Sequence, residues 1–252
     1  MNEPSTRAIR RQRAGFAVVA RLARLAALAA LALGLAPTAA RALEAKRELN
    51  FDVFLDERPI GYHRFALAPT QNGLDVAIRA EFELSILRIK ALDYDHENRE
   101  RWRAGCLESI ESRTEQNGKP YRVAGRIGAD GFAVDGKEGR RRLTGCVGSF
   151  AYWDRRTLLG RRHLLNAQTG EYVAVETLTL GPGTLEIGGR PIAVDRYEIR
   201  GKGVEIRLAY ARDGGEWLAL DSPLFAGQTL RYRRRMAELP DRTIAPAGAT
   251  LP

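Results

Sequence analysis

Residues 75–84 read DVAIRAEFEL, placing Val76, Ile78, Ala80, Phe82 and Leu84 on one face and their neighbours on the other. Strict alternation of this kind is the mark of a half-buried β-strand. The stretch LNFDVFL at 49–55 repeats it with Leu49, Phe51, Val53 and Leu55. Between such runs lie short turn-forming groups: Asp56 to Pro59, Gln71-Asn72-Gly73, Gln116-Asn117-Gly118, Ala129-Asp130-Gly131, Asp135-Gly136, Gly188-Gly189 and Asp213-Gly214-Gly215. They supply the positive-φ positions that tight hairpins need. Further strands are expected at Tyr172 to Leu180, Gly183 to Ile187, Ile192 to Arg200, Val204 to Ala211, Glu216 to Asp221 and Gln228 to Arg233, with Pro223 in the last gap. Hairpins in series predict an all-β fold, a single antiparallel meander.

One segment interrupts the pattern. Residues 145–172, GCVGSFAYWDRRTLLGRRHLLNAQTGEY, gather an aromatic pair, two arginine pairs and several uncharged hydrogen-bonding side chains. Within it 155–165 has neither clean alternation nor a helical stripe, and Gly160 weakens a helix by about 1 kcal/mol. A curled sheet must close its open side with something, so a short helical or irregular lid is expected near 155–165. Trp102, Tyr152, Trp153, Asn166, Gln168, Thr169 and Tyr172 are the candidate ligand-binding residues, because amphipathic aromatics and uncharged donors are the usual lining of a small-molecule site. The plainer reading is that the aromatics fill the core and Asn166 to Gly170 make a turn.

The ends of the chain carry an address. Arg7, Arg10, Arg11 and Arg13 precede an apolar stretch unbroken from Leu25 to Ala36, and Ala40-Arg41-Ala42 follows Pro37. This is the order of a secretory signal. Cleavage after Ala42 is expected, giving periplasmic export, one β domain over 43–238 and a disordered tail over 239–252. The whole chain has 40 basic and 31 acidic residues; residues 1–42 hold seven of the former and one of the latter, leaving a net of +3. That balance argues against a nucleic-acid partner. Arg140-Arg141-Arg142 and Arg233-Arg234-Arg235 read as solvated strand ends, with anionic lipid headgroups as the functional alternative. Cys106 and Cys146, the only cysteines, are expected to pair in an oxidising compartment.

Signals of catalysis and cofactors are weak. Asp93-Tyr94-Asp95-His96-Glu97 offers metal-like donors, but alternation points His96 away from the carboxylates, so an outward charged strand is expected and no zinc shell. Val147 and Ala151 stand where a nucleophile elbow around Ser149 would need glycine. Neither a phosphate loop nor a dinucleotide fingerprint is present, and no cofactor or metal is expected.

The motifs Phe51 to Leu55 with Ile60-Gly61, Glu100-Arg101-Trp102, Phe150-Ala151-Tyr152-Trp153 and Leu164 to Gly170 resemble a proteobacterial secreted family known as a domain of unknown function. More loosely, Tyr210, Asp213, Trp217 and Leu218 to Leu224 are similar to periplasmic β proteins with the curved, half-open barrel of the lipoprotein carriers LolA and LolB. That resemblance implies a concave apolar surface facing a lid. The leading functional expectation is an exported envelope protein binding a lipid or other small amphipathic molecule. A fully packed module contacting an envelope partner is second; an enzyme is third.

Overall fold

The computed structural model describes residues 45–235, apart from 87–88, 225–226 and the side chains of 86–90. The expected signal segment 1–42 and the tail 239–252 lie outside the described residues. The described chain forms one 14-stranded antiparallel sheet. Its strands are β1 (Arg47–Leu55), β2 (Arg58–Thr70), β3 (Gly73–Ile86), β4 (Ile89–Arg103), β5 (Cys106–Gln116), β6 (Lys119–Gly128), β7 (Gly131–Gly136), β8 (Gly139–Leu143), β9 (His163–Leu165), β10 (Tyr172–Ile187), β11 (Arg190–Gly201), β12 (Val204–Ala211), β13 (Trp217–Pro223) and β14 (Thr229–Arg234). Among the described residues the helix is the five-residue α1 (Arg155–Leu159), capped by Asp154, whose carboxylate accepts from the Thr157 amide.

Alternation translates directly into burial. On β1 the side chains of Leu49, Phe51, Val53 and Leu55 are buried and those between them are not. On β3, Val76, Ile78, Ala80, Phe82 and Leu84 do the same. Asp56 (φ 54°) and Asn117 (φ 52°) take up the left-handed turn conformation, as polar turn residues tolerate. One expectation needs correction: the two strands foreseen between Tyr172 and Ile187 are a single β10, with an irregularity at Thr179/Gly181 where Gly181 has φ 81°. Gly181 makes a bulge within the continuous strand. Pro223 likewise ends β13 instead of lying in a gap.

The strand order is β8-β7-β6-β5-β4-β3-β2-β1-β14-β13-β12-β11-β10-β9. Two meanders thus meet where β1 pairs β14, with Phe51 opposite Arg234 and Val53 opposite Tyr232. Register shifts at Val53/Phe54, Leu84/Ser85, Arg101/Trp102 and Ala209/Tyr210 bend the sheet, as bulges do. It curls without the outer strands β8 and β9 pairing to close a barrel. Close approach is built in at Gly61, where a Cβ would lie 1.8 Å from the Glu81 carbonyl oxygen.

The main core lies in the concavity, and a smaller cluster of Ile187, Ile192, Val194, Ala209, Ala211, Leu218 and Ala219 forms separately. The outer face carries ion pairs, such as Arg79 with Glu81, Asp95 and Glu97; exposed pairs of this type contribute about 0 to 1 kcal/mol each. The arginine triplets differ from expectation. Arg140 and Arg142 are exposed, but Arg234 is only 6% exposed, donates to the Glu48 carbonyl at 2.9 Å and lies 5.6 Å over the Phe51 ring. Arg233 binds Asp221 and Arg235 binds Asp52. Arg234 and Arg235 stitch the β1–β14 seam and Arg233 ties β14 to β13, so this triplet is not a solvated strand end.

Candidate functional site

Residues 145–172 cross the concave side and reach both meanders. At the start of the crossing the Leu107 amide donates to the Val147 carbonyl, and Cys106 is bonded to Cys146. Arg161 clamps this end, donating to the carbonyls of Cys146 and Gly105. A Cβ at Gly148 would lie 2.3 Å from Arg161 Nε, so a side chain there would push this clamp aside. Val147, Ala151, Leu158, Leu164 and Leu165 join the main core. The lid foreseen at 155–165 is therefore one part of a longer internal plug, with α1 and β9 inside that range.

The plug fixes the aromatic residues. Tyr152 lies 5.0 Å from the Trp217 ring, and its carbonyl accepts from Tyr210 Oη at 3.0 Å. Trp153 packs edge-on to Trp102 at 6.1 Å and against Phe65 at 5.7 Å. Asn166 Oδ1 accepts from the amides of Gln168 and Thr169, the turn foreseen for this tetrad. Gln168 then reaches Gln116 on β5 at 2.9 Å, and the Lys137 amide donates to the Thr169 carbonyl.

Beneath the plug is a cavity of about 290 Å³. Its apolar wall comes from Val204, Ile206, Leu220 and Leu230, on β12, β13 and β14. Facing it are His63 on β2 and Tyr94, His96, Asn98 and Glu100 on β4. Ala80 is the cross-strand partner of both His63 and His96. A single methyl there, between two rings, leaves room that a larger β3 residue would fill.

The polar wall is an ordered network. Asn98 Nδ2 donates to Glu100 Oε1 at 2.9 Å and Trp102 Nε1 to Glu100 Oε2 at 2.8 Å; the Ser149 hydroxyl of the plug also bonds this carboxyl. Burial nevertheless wins over these three donors and raises the Glu100 carboxyl above its ordinary range. His96 Nδ1 lies 2.7 Å from Thr114 Oγ1, and burial lowers the imidazole to about 4. His63 is lowered to about 3, by burial first and by its neighbour His96 second. Although His63 is only partly buried as a residue, both its ring nitrogens are sealed from solvent and meet no hydrogen-bond partner; the same holds for Asn98 Oδ1.

Of the candidates read from sequence, Tyr152, Asn166 and Gln168 line this cavity. Trp153 instead faces a second hollow of about 560 Å³, Trp102 supports Glu100 from the core, and Thr169 caps Glu171. Tyr172 stacks on His163 at 5.2 Å and does not line the cavity. Sequence reasoning missed His63, His96, Asn98 and Glu100. It placed Asp93, Asp95 and Glu97 outward correctly, yet the opposite face of β4 was not followed inward. The available signal was a strand with polar residues on both alternating faces. Among the described residues no cluster of metal-ligating side chains occurs.

A curled antiparallel sheet, closed by an internal plug over a cavity with one polar and one apolar wall, defines a β half-barrel class. The chain belongs to the family described as domain of unknown function DUF6134, whose family model matches residues 51–235. A similar solved structure is the crystal structure of a beta-barrel-like protein of domain of unknown function DUF1849 from Brucella abortus, with 12% identity, a TM-score of 0.53, and coverage of 77% of this chain and 97% of that one. That likeness concerns the fold alone. No curated protein matches.

Proposed function

We propose that the protein is exported to a proteobacterial periplasm and binds a small amphipathic molecule inside the curled sheet. The observation that carries this reading is the two-faced cavity, in which Val204, Ile206, Leu220 and Leu230 oppose His63, His96, Asn98 and Glu100. Burying about ten methylenes against the apolar wall is worth about 8 kcal/mol before association costs. The order of residues 1–42, with its basic start, apolar run and small residues at 40 and 42, supports export. The resemblance to the LolA and LolB carriers belongs to the same reading, in that a plug over a concavity suits a carrier; it assigns no lipoprotein cargo.

Native mass spectrometry tests the proposal on the chain purified, without detergent, from the periplasm of an exporting host. The expected result is a discrete added mass, released as a lipid-like molecule on denaturing extraction. A bare mass for residues 43–252, two hydrogens light for the disulfide, would favour the packed interaction module instead. A mass that retains residues 1–42 would overturn the export half of the reading.

A further inference from the structure

The polar wall of the cavity is built from ionisable groups, yet its geometry leaves a charged head no free partner. Glu100 is enclosed by three donors, and Trp102, its indole partner, is itself buried. His63 and His96 sit side by side across the Ala80 methyl with no carboxylate bonded to either ring. Desolvation holds both imidazoles neutral and holds the Tyr94, Tyr152 and Tyr232 phenols protonated. Glu205, at the rim, is tied to Arg207 at 2.7 Å. A charged head placed here would meet no free opposite charge, because the Glu100 carboxyl is already taken by three donors and Glu205 by Arg207, and burying an unpaired ion is costly.

What the wall does present is unfilled hydrogen-bonding capacity. A neutral imidazole has one donor and one acceptor nitrogen, and at His63 neither has a partner. Asn98, 2% exposed, has an acceptor oxygen without a donor. Buried polar atoms are nearly always satisfied, so orphans lining a cavity point to a missing group. A hydroxyl both donates and accepts, and so complements them.

We propose, resting on the ligand-binding reading above, that the cavity takes an uncharged amphipath whose polar end is a hydroxyl, met by small rotations of the His63 ring and the Asn98 amide that bring their sealed polar atoms to the cavity face, with its hydrocarbon along Val204, Ile206, Leu220 and Leu230. Carboxylates, phosphates and ammonium heads are selected against by the same wall.

The test is calorimetric titration of the full chain at pH 7 with one ten-carbon tail carrying different heads: decanol, decanoate, decyl phosphate, decylammonium and decyl methyl ether. Decanol is expected to bind at least tenfold more tightly than each of the others, because the ether accepts but cannot donate. Asn98→Leu should weaken decanol about tenfold and leave the ether unchanged, because it removes an acceptor the ether cannot use, whereas His63→Phe should weaken both, because the ether can accept from the ring N–H. Equal or tighter binding of any charged head, or of the ether, overturns the hydroxyl assignment and leaves the ligand-binding reading standing. Binding of none, with the bare mass described above, overturns both. The wild-type head-group series decides the matter even where a variant fails to fold.

Discussion

Two imidazoles sealed from water make the fold sensitive to acid. Both His63 and His96 bind a proton more weakly in the folded chain, at about 3 and about 4, than at the ordinary 6.5. Between those values the unfolded chain holds the extra protons, so stability rises with pH across the window and is lost as pH falls below about 6.5. At about 1.4 kcal/mol per pH unit, His63 alone accounts for about 3 kcal/mol between pH 6.5 and 4. Glu100 has the opposite sign: its raised carboxyl stabilises most below the unfolded value and loses that contribution as pH climbs through the folded one. Urea unfolding at half-unit steps from pH 4 to 8 should show a maximum. Replacing His63 with Phe should flatten the acid limb and Glu100→Gln the alkaline limb. Unchanged limbs would mean that the rings and the carboxyl reach solvent.

At the scale of elements, the plug is held by a covalent tie, a guanidinium and a set of backbone bonds. The Cys106–Cys146 bridge spans 40 residues, and removing it with a double serine substitution should cost about 4 kcal/mol, read as a lowered unfolding midpoint. Arg161→Ala should act locally, because it strips donors from the Gly105 and Cys146 carbonyls while the sheet's ladders stay intact. Faster amide exchange confined to 145–172 is expected; uniform loss across β10–β14 would show that the plug and sheet open as one unit.

The same elements show what could be read in advance. Strand faces were legible because Leu49 to Leu55 and Val76 to Leu84 alternate against a polar neighbour set, and the turns because Asn117, Gly118, Gly188 and Gly189 have few other uses. β4 was half-legible: its polar residues on both faces gave no amphipathic contrast, so His96, Asn98 and Glu100 could not announce that they were internal. The cavity itself was illegible, since it depends on register. Ala80 creates space only because it stands between His63 and His96, a pairing that no local pattern encodes.

For the molecule as a whole, the seam between β1 and β14 joins the beginning and the end of the described chain. The Arg235 amide donates to the Asn50 carbonyl at 3.1 Å, so the two ends lie side by side. A permutant that links residue 235 to residue 47 through a short flexible loop, and opens at the exposed Thr144-Gly145 junction between the unpaired outer strands β8 and β9, would turn the seam into a hairpin without separating any other strand pair. Such a change removes the longest-range pairing and should raise the refolding rate by at least tenfold while keeping the native cavity, since local pairings close faster than distant ones. Stopped-flow fluorescence of Trp153 and Trp217 would measure it. An unchanged rate would place the slow step elsewhere, for example in seating the plug.

The seam also sets a clock on biosynthesis. Of the described strands a ribosome delivers β1 first and β14 last, so at about 5 to 20 residues per second roughly ten to forty seconds separate them. Throughout that interval β1 has β2 on one side and a bare row of amides and carbonyls on the other, beside Phe51 and Val53. An unpaired apolar edge is a template for another nascent chain. The open flank of β1 is therefore an edge that a holding chaperone would have to cover, and the arrival of residues 229–234 closes it.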